Sequence, residues 1–201
     1  RRAGALFVLD DCLMLRLAYG GSAELYSLQP DLTFLGKFIG GGLPMGVLGG
    51  RADVMDVLDP HREQPLYHGG SFNGNLLSSV TGRVSLEHFD AAMIAAMDAR
   101  ADELRAALED GAAKLGLPLS TVAEGSIMGV YLTDSLTRHD GIFMAGEATQ
   151  LLHLAALTHG VFIGPGGEIA LSSVVADEAL ELASAGLLRA MGDVARLTDS
   201  D

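Results

Sequence analysis

The stretch Pro30-Asp31-Leu32-Thr33-Phe34-Leu35-Gly36-Lys37-Phe38-Ile39-Gly40-Gly41-Gly42-Leu43-Pro44-Met45-Gly46 sets one lysine among apolar residues and follows it with three consecutive glycines. Lys37 and Lys114 are the only two lysines in a chain of 201 residues. Between Leu35, Phe38 and Ile39, Lys37 is expected to be partly desolvated, the condition that makes an amine a better nucleophile. The glycine triplet removes every Cβ on one side and lets backbone or a ligand approach closely. A surface lysine beside a glycine turn has the same local appearance. The flanking segments decide between the two.

Upstream, Ala5-Leu6-Phe7-Val8-Leu9 is a continuous apolar run that stops at Asp10-Asp11. Such runs predict strands covered on both faces, as in parallel sheets. Ligands of open α/β sheets bind beyond the carboxyl ends of the strands, where Asp10 and Asp11 fall. The same two acids also suit a plain turn cap. Ser22 is expected to cap a short helix over 23–28, and residues 32–35 to form a strand that delivers Lys37 to the sheet edge. Residues 45–50 read as another strand, 51–58 as a helix closed by Asp59-Pro60, and 61–67 as a polar loop.

Downstream, Tyr67-His68-Gly69-Gly70-Ser71-Phe72-Asn73-Gly74-Asn75 leads into a helix expected over 76–89. Glycines, a hydroxyl and amides at a helix start form a potential anion site, because free N–H groups and the helix dipole both favour negative charge. A helix cap with a glycine turn gives the same pattern. A long helix is predicted over 91–115, its Ile94, Met97, Ala101, Leu104, Leu108 and Leu115 recurring at helical spacing as a core stripe. Past Gly116-Leu117-Pro118 the texture changes. Strands are expected at 126–133, 161–163 and 169–173, and helices at 147–158 and 177–191. The domain boundary is placed near residue 90, with residues 1–90 as a larger α/β part and 91–201 as the long helix and a smaller α+β part.

Composition bounds the function. The net charge of −13 argues against nucleic acid and anionic membranes as partners. No apolar run is long enough to span a bilayer. The opening Arg1-Arg2-Ala3-Gly4 and its apolar run resemble a signal peptide, but the run is short and ends in acids, so a strand and a cytoplasmic location are expected. A single cysteine, Cys12, fits a reducing compartment. The six histidines show no paired spacing, and no metal is expected. Nucleotide and hydrolase motifs also fail. Asp31 and Phe38 break a phosphate-binding P-loop, Ile169 stands where a dinucleotide fingerprint needs glycine, and Asn73 stands where a nucleophile elbow around Ser71 needs one.

Together, Leu9-Asp10-Asp11-Cys12, Ala18-Tyr19-Gly20-Gly21, Pro30 to Gly46 and His68 to Asn75 resemble the class III (fold type I) aminotransferases that use pyridoxal phosphate, especially the branch containing glutamate-1-semialdehyde 2,1-aminomutase. The lysine block with an aspartate 27 residues earlier is the specific part. The resemblance implies an α/β fold, part of the large-domain sheet plus a smaller α+β C-terminal domain. It implies Lys37 as the catalytic lysine that takes the cofactor's aldehyde and, once freed, shuttles a proton. Asp10 would pair with the pyridinium nitrogen, and Cys12, standing for the family's valine, would touch the ring face. Asp11 stands for glutamate. Gly70 and Ser71 would serve the cofactor phosphate, Ser71 standing for a threonine that in these dimers serves the neighbouring subunit's site. The implied partners are a small amino-acid or amino-aldehyde substrate and a second copy of the chain.

A full member of that family is about twice as long, and the resemblance covers its C-terminal half. A truncated product, a fragment and a half-site completed by another chain all fit. Amino-group transfer is the leading expectation; a cofactor-binding remnant without turnover and an interaction protein are the alternatives.

Overall fold

The computed structural model describes residues 2–134, 136 and 146–198. Arg1, with which the apparent leader begins, and the last three residues lie outside them. The chain divides into two compact units, Arg1–Ile94 and Ala95–Asp201.

The first unit is built on a three-stranded sheet in the order β1-β2-β3, with β1 at Val8–Asp10, β2 at Leu32–Gly36 and β3 at Gly46–Gly50. β1 runs parallel to β2, pairing Val8 with Leu32 and Asp10 with Phe34. The connection between them carries a 3-10 turn at Met14–Leu17 and the short helix α1, Gly21–Leu25. β3 returns antiparallel, pairing Gly46 with Gly36 and Gly50 with Leu32. Next come α2, Ala52–Met55, which tightens into a 3-10 turn at Asp56–Leu58, and the longer α3, Leu76–Glu87. Asn75 caps α3, its side-chain oxygen accepting from the Ser78 N–H at 3.1 Å.

One buried carboxylate ties this unit together. Asp31 is 0% exposed. Its Oδ2 accepts the Phe7 N–H at 2.8 Å, and its Oδ1 pairs with Arg51 Nη1 at 2.6 Å. The lead into β1, the start of β2 and the start of α2 therefore share a single acid.

The second unit closes on an antiparallel sheet, β4-β5-β6: Ser120–Glu124, Ile127–Tyr131 and Glu168–Ala170. Its helices are the C-terminal part of α4 (Ala91–Lys114), α5 (Glu147–Thr158) and α6 (Asp177–Thr198). Ala101, Leu104, Leu108 and Ala112 of α4 enter one core with Met128, Val130, Leu152, Ala156, Leu187 and Met191. Of the stripe read from the 3.6-residue period, Ala101, Leu104 and Leu108 lie in that core, Ile94 and Met97 are buried outside it, and Leu115, past the end of α4, is 41% exposed.

Several elements differ from expectation. The run 5–9 is not a strand covered on both faces: only its last part pairs, and Leu6, Phe7 and Val8 are exposed. Among the described residues β1 lies at one side of its three-stranded sheet, with those side chains 40–52% exposed. Ser22 does not cap α1; it lies within the helix and its hydroxyl is used elsewhere. Residues 161–163 form no strand, because Ile163 is buried as coil with its carbonyl against His153 Nδ1 at 2.9 Å. β4 was not expected, although β-branched Thr121 and Val122 mark it. α6 runs on to Thr198, since Gly192 alone does not stop a helix so well packed. No helix among the described residues is long and apolar enough to cross a membrane.

Candidate active site

β2 ends at Gly36, and Lys37 opens a 3-10 turn, Lys37–Gly40, with φ +56. A lysine in the left-handed region is sterically disfavoured, and such strain persists only where the surroundings impose it. Here the turn sends Ile39 into the core and lays the Phe38 ring 4.9 Å from that of Phe89. Lys37 is left exposed. The expectation of a partly desolvated amine is thus corrected: its apolar neighbours turn away from it rather than around it.

The glycine triplet also serves packing more than ligand approach. A Cβ on Gly41 would collide with the carbonyl of Thr81, and one on Gly82 with the carbonyl of Ile39. Thr81 Oγ1 donates to the Gly40 carbonyl at 2.8 Å, and Ser78 Oγ to that of Pro44 at 2.9 Å. Glycine at these places lets α3 dock on the turn that carries Lys37. Gly42 and Gly46 face open space.

Gly46 lines a cleft of about 810 Å³, together with Lys37, Met45, His68, Phe72, Asn73 and Asn75. Sequence reasoning quoted His68, Asn73 and Asn75 but gave none of them a place beside Lys37. Ser71 and Gly70 lie close in sequence but do not line the cleft. Ser71 sits in an exposed turn five residues before α3 begins, and the helix start is already capped by Asn75. Asn75 takes the Ser78 N–H at that helix start.

Asp10 ends β1, beside the end of β2 that delivers Lys37. Its Oδ1 accepts the Cys12 N–H at 3.1 Å. That bond, then the Cys12 thiol, hold the Asp10 carboxyl below the usual carboxylate range; slight burial opposes them and the Lys37 charge assists. The Cys12 thiol is pushed up in turn, first by the Asp10 carboxylate and then by burial. Cys12 is half-buried, and its Sγ lies 3.2 Å from where a Cβ on Gly36 would be, so it packs against the residue preceding Lys37.

Asp11 points the other way and is 1% exposed. Its Oδ2 accepts the Ser22 N–H at 3.0 Å and its Oδ1 the Ser22 hydroxyl. Of the two adjacent acids, one is free to meet a ligand and the other is consumed by the fold. Among the described residues no cluster of three metal-ligating side chains occurs.

The sequence profile described as "Aminotransferase class-III" matches residues 2–190. An uncharacterized aminotransferase of Schizosaccharomyces pombe is 37% identical over 180 residues, 88% of this chain and 41% of its own length. A glutamate-1-semialdehyde 2,1-aminomutase of Acidobacterium capsulatum is 34% identical over 172 residues, 82% of this chain and 39% of its own. The crystal structure of a β-phenylalanine aminotransferase from Variovorax paradoxus superposes with a TM-score of 0.85 at 33% identity, covering 96% of this chain and 45% of that one. The chain spans about two-fifths of the length of the curated relatives it matches.

Proposed function

The chain belongs to the class-III aminotransferase family and has the α/β fold of its pyridoxal-phosphate enzymes, and from that premise we propose that it supplies the lysine-bearing part of a site that transfers an amino group. The observation that carries this reading is the pairing of Lys37 and Asp10 at the carboxyl ends of two adjacent parallel strands. Within the reading, residues 1–90 are part of the cofactor-binding large domain, and 91–201 the connecting helix and small domain.

The donor set fits pyridoxal phosphate. An exposed primary amine faces a cleft with room for a small ligand, and a carboxylate held in its ionised form stands near it. When bound, the cofactor supplies an aldehyde carbon for amines and a ring that withdraws electrons from the substrate's Cα. Lys37 Nζ would be the amine that holds the cofactor and, when free, the base for the substrate's Cα proton. The Asp10 carboxylate would hold a proton at the ring nitrogen. Cys12, whose N–H bonds Asp10 Oδ1, would keep Asp10 in place and contact the ring, and Gly70 and Ser71 would serve the phosphate of a second copy's cofactor in a homodimer. The substrate is a small amino acid or amino aldehyde.

The test is reductive trapping. The chain is mixed with pyridoxal phosphate, reduced with borohydride and mapped by peptide mass. Label is expected on Lys37, absent in Lys37→Ala, and not on Lys114, which is engaged by Asp110. Label on Lys114 with binding intact in Lys37→Ala would overturn the assignment. Absence of any label would favour the reading of an interaction protein; label on Lys37 without turnover would favour that of a cofactor-binding remnant.

A further inference from the structure

We propose that Ser22 is a positioning residue for Asp10, acting through the buried carboxylate of Asp11. The proposal rests on the reading of Asp10 as the acid that meets the cofactor ring, and it adds a residue to which no role at the site has been given.

The geometry starts from alternation along a strand. Successive side chains at a strand end leave on opposite sides, so the exposed Asp10 and the buried Asp11 are two ends of one lever about a shared peptide. Asp11 is fixed at four points. Its N–H donates to the Phe34 carbonyl at 2.9 Å, and its own carbonyl accepts from the Leu15 N–H at 3.1 Å. Its two carboxylate oxygens take the Ser22 N–H and the Ser22 hydroxyl. Ser22 itself is 5% exposed and sits in the first turn of α1.

The neighbourhood is shaped for this contact. Gly21 has φ +66, and a Cβ there would collide with Asp11 Oδ2, so only glycine admits the carboxylate to the helix start. The helix start and the hydroxyl provide two donors, so the buried charge is hydrogen-bonded at both oxygens.

On the other arm of the lever, Asp10 Oδ1 accepts the Cys12 N–H, and among the described residues the Cys12 thiol and the Lys37 charge also act on the carboxyl. The Cys12 amide belongs to the peptide that follows Asp11. Its direction therefore depends on how firmly Asp11 is held. Loosening Asp11 lets the Cys12 N–H swing away from Asp10, which loses both its aim and part of what keeps it ionised.

The experiment follows the Asp10 carboxyl by 13C NMR in the 201-residue chain without cofactor, the resonance being assigned by its loss in Asp10→Asn. In Ser22→Ala the Asp10 titration midpoint is expected to rise by about half a pH unit, and the Cys12 amide to exchange faster with solvent. Ser22→Thr keeps the hydroxyl and should restore both. Ser22→Cys, similar in size and a weaker donor, should fall between and serves where Ser22→Ala does not fold. An unchanged Asp10 midpoint in folded Ser22→Ala or Ser22→Cys overturns the proposal, as does a shift that Ser22→Thr fails to reverse. Failure of the cofactor reading shows separately, as trapping on Lys114 while the Asp10 shift in Ser22→Ala and its reversal in Ser22→Thr are still seen.

Discussion

The carbonyl oxygen of Ile39 occupies the place that a Cβ on Gly82 would need, so helix α3 and the turn bearing Lys37 meet backbone to backbone. Gly82→Ala therefore forces two main-chain segments apart. Overpacking strain of about 3 kcal/mol outweighs the gain of about 1 kcal/mol from replacing a helical glycine by alanine. A net loss of about 2 kcal/mol is expected in urea unfolding. Gly46→Ala, where nothing lies within 4 Å, is the comparison and should change stability by less.

Asp31 makes the second prediction. Its partner Arg51 is 44% exposed and also pairs with Asp53, so removing Asp31 leaves Arg51 paired. The cost should then be that of hydrogen bonds to a charged group, about 2–3 kcal/mol for Asp31→Ala, and not the larger penalty of a fully buried broken pair. Asp31→Asn, which can still accept from Phe7, should lose less. Chemical denaturation of the three proteins checks the order.

Elements with a strong period were legible in the sequence. α4 and α5 were read within a residue or so from their apolar spacing and their glycine or proline stops, and β2 from the short run before Gly36-Lys37. What was not legible depends on partners far apart in the chain. Nothing local distinguishes Asp11, buried on Ser22, from Asp10, left open beside it. Asp31 read as a spacer because Arg51 lies 20 residues away. Lys37 is exposed because Phe38 goes to Phe89 and Ile39 to the core, a choice made by α3 and not by residues next to the lysine. His68 heads the block 68–75, but only the folded loop places it in the same cleft as Lys37.

In the second unit, Asp193 joins His159 Nε2 at 2.7 Å and also pairs with Arg196, linking the end of α5 to α6. His159 first, then Arg196, hold its carboxyl below the ordinary value of 3.8, against slight burial. A depressed folded-state pKa gives stability that is present above the unfolded value and is lost as pH falls through the folded one. The melting temperature of the native chain should therefore drop more steeply than that of Asp193→Asn as pH goes from about 4 downwards. The two curves should converge at the acid end. Parallel curves would mean that the pair does not act on stability.

The last prediction concerns Ser71. It sits in an exposed turn and does not line the cleft that holds Lys37 of its own chain. The proposed reading gives its hydroxyl to the cofactor phosphate of a second copy. Ser71→Ala should then weaken pyridoxal phosphate binding by about 1–3 kcal/mol, the loss of one hydrogen bond to a charged group. Mixing two defective chains, Lys37→Ala and Ser71→Asp, tests the arrangement. If the residues meet across a dimer, one site of each mixed pair joins an intact Lys37 to an intact Ser71, and the other carries both defects. Borohydride trapping should then return label to Lys37 of the Ser71→Asp chain, at about half the native amount per mixed dimer once binding is saturated. If both residues serve one chain's site, every site in the mixture keeps a defect and trapping stays at the level of the separate variants.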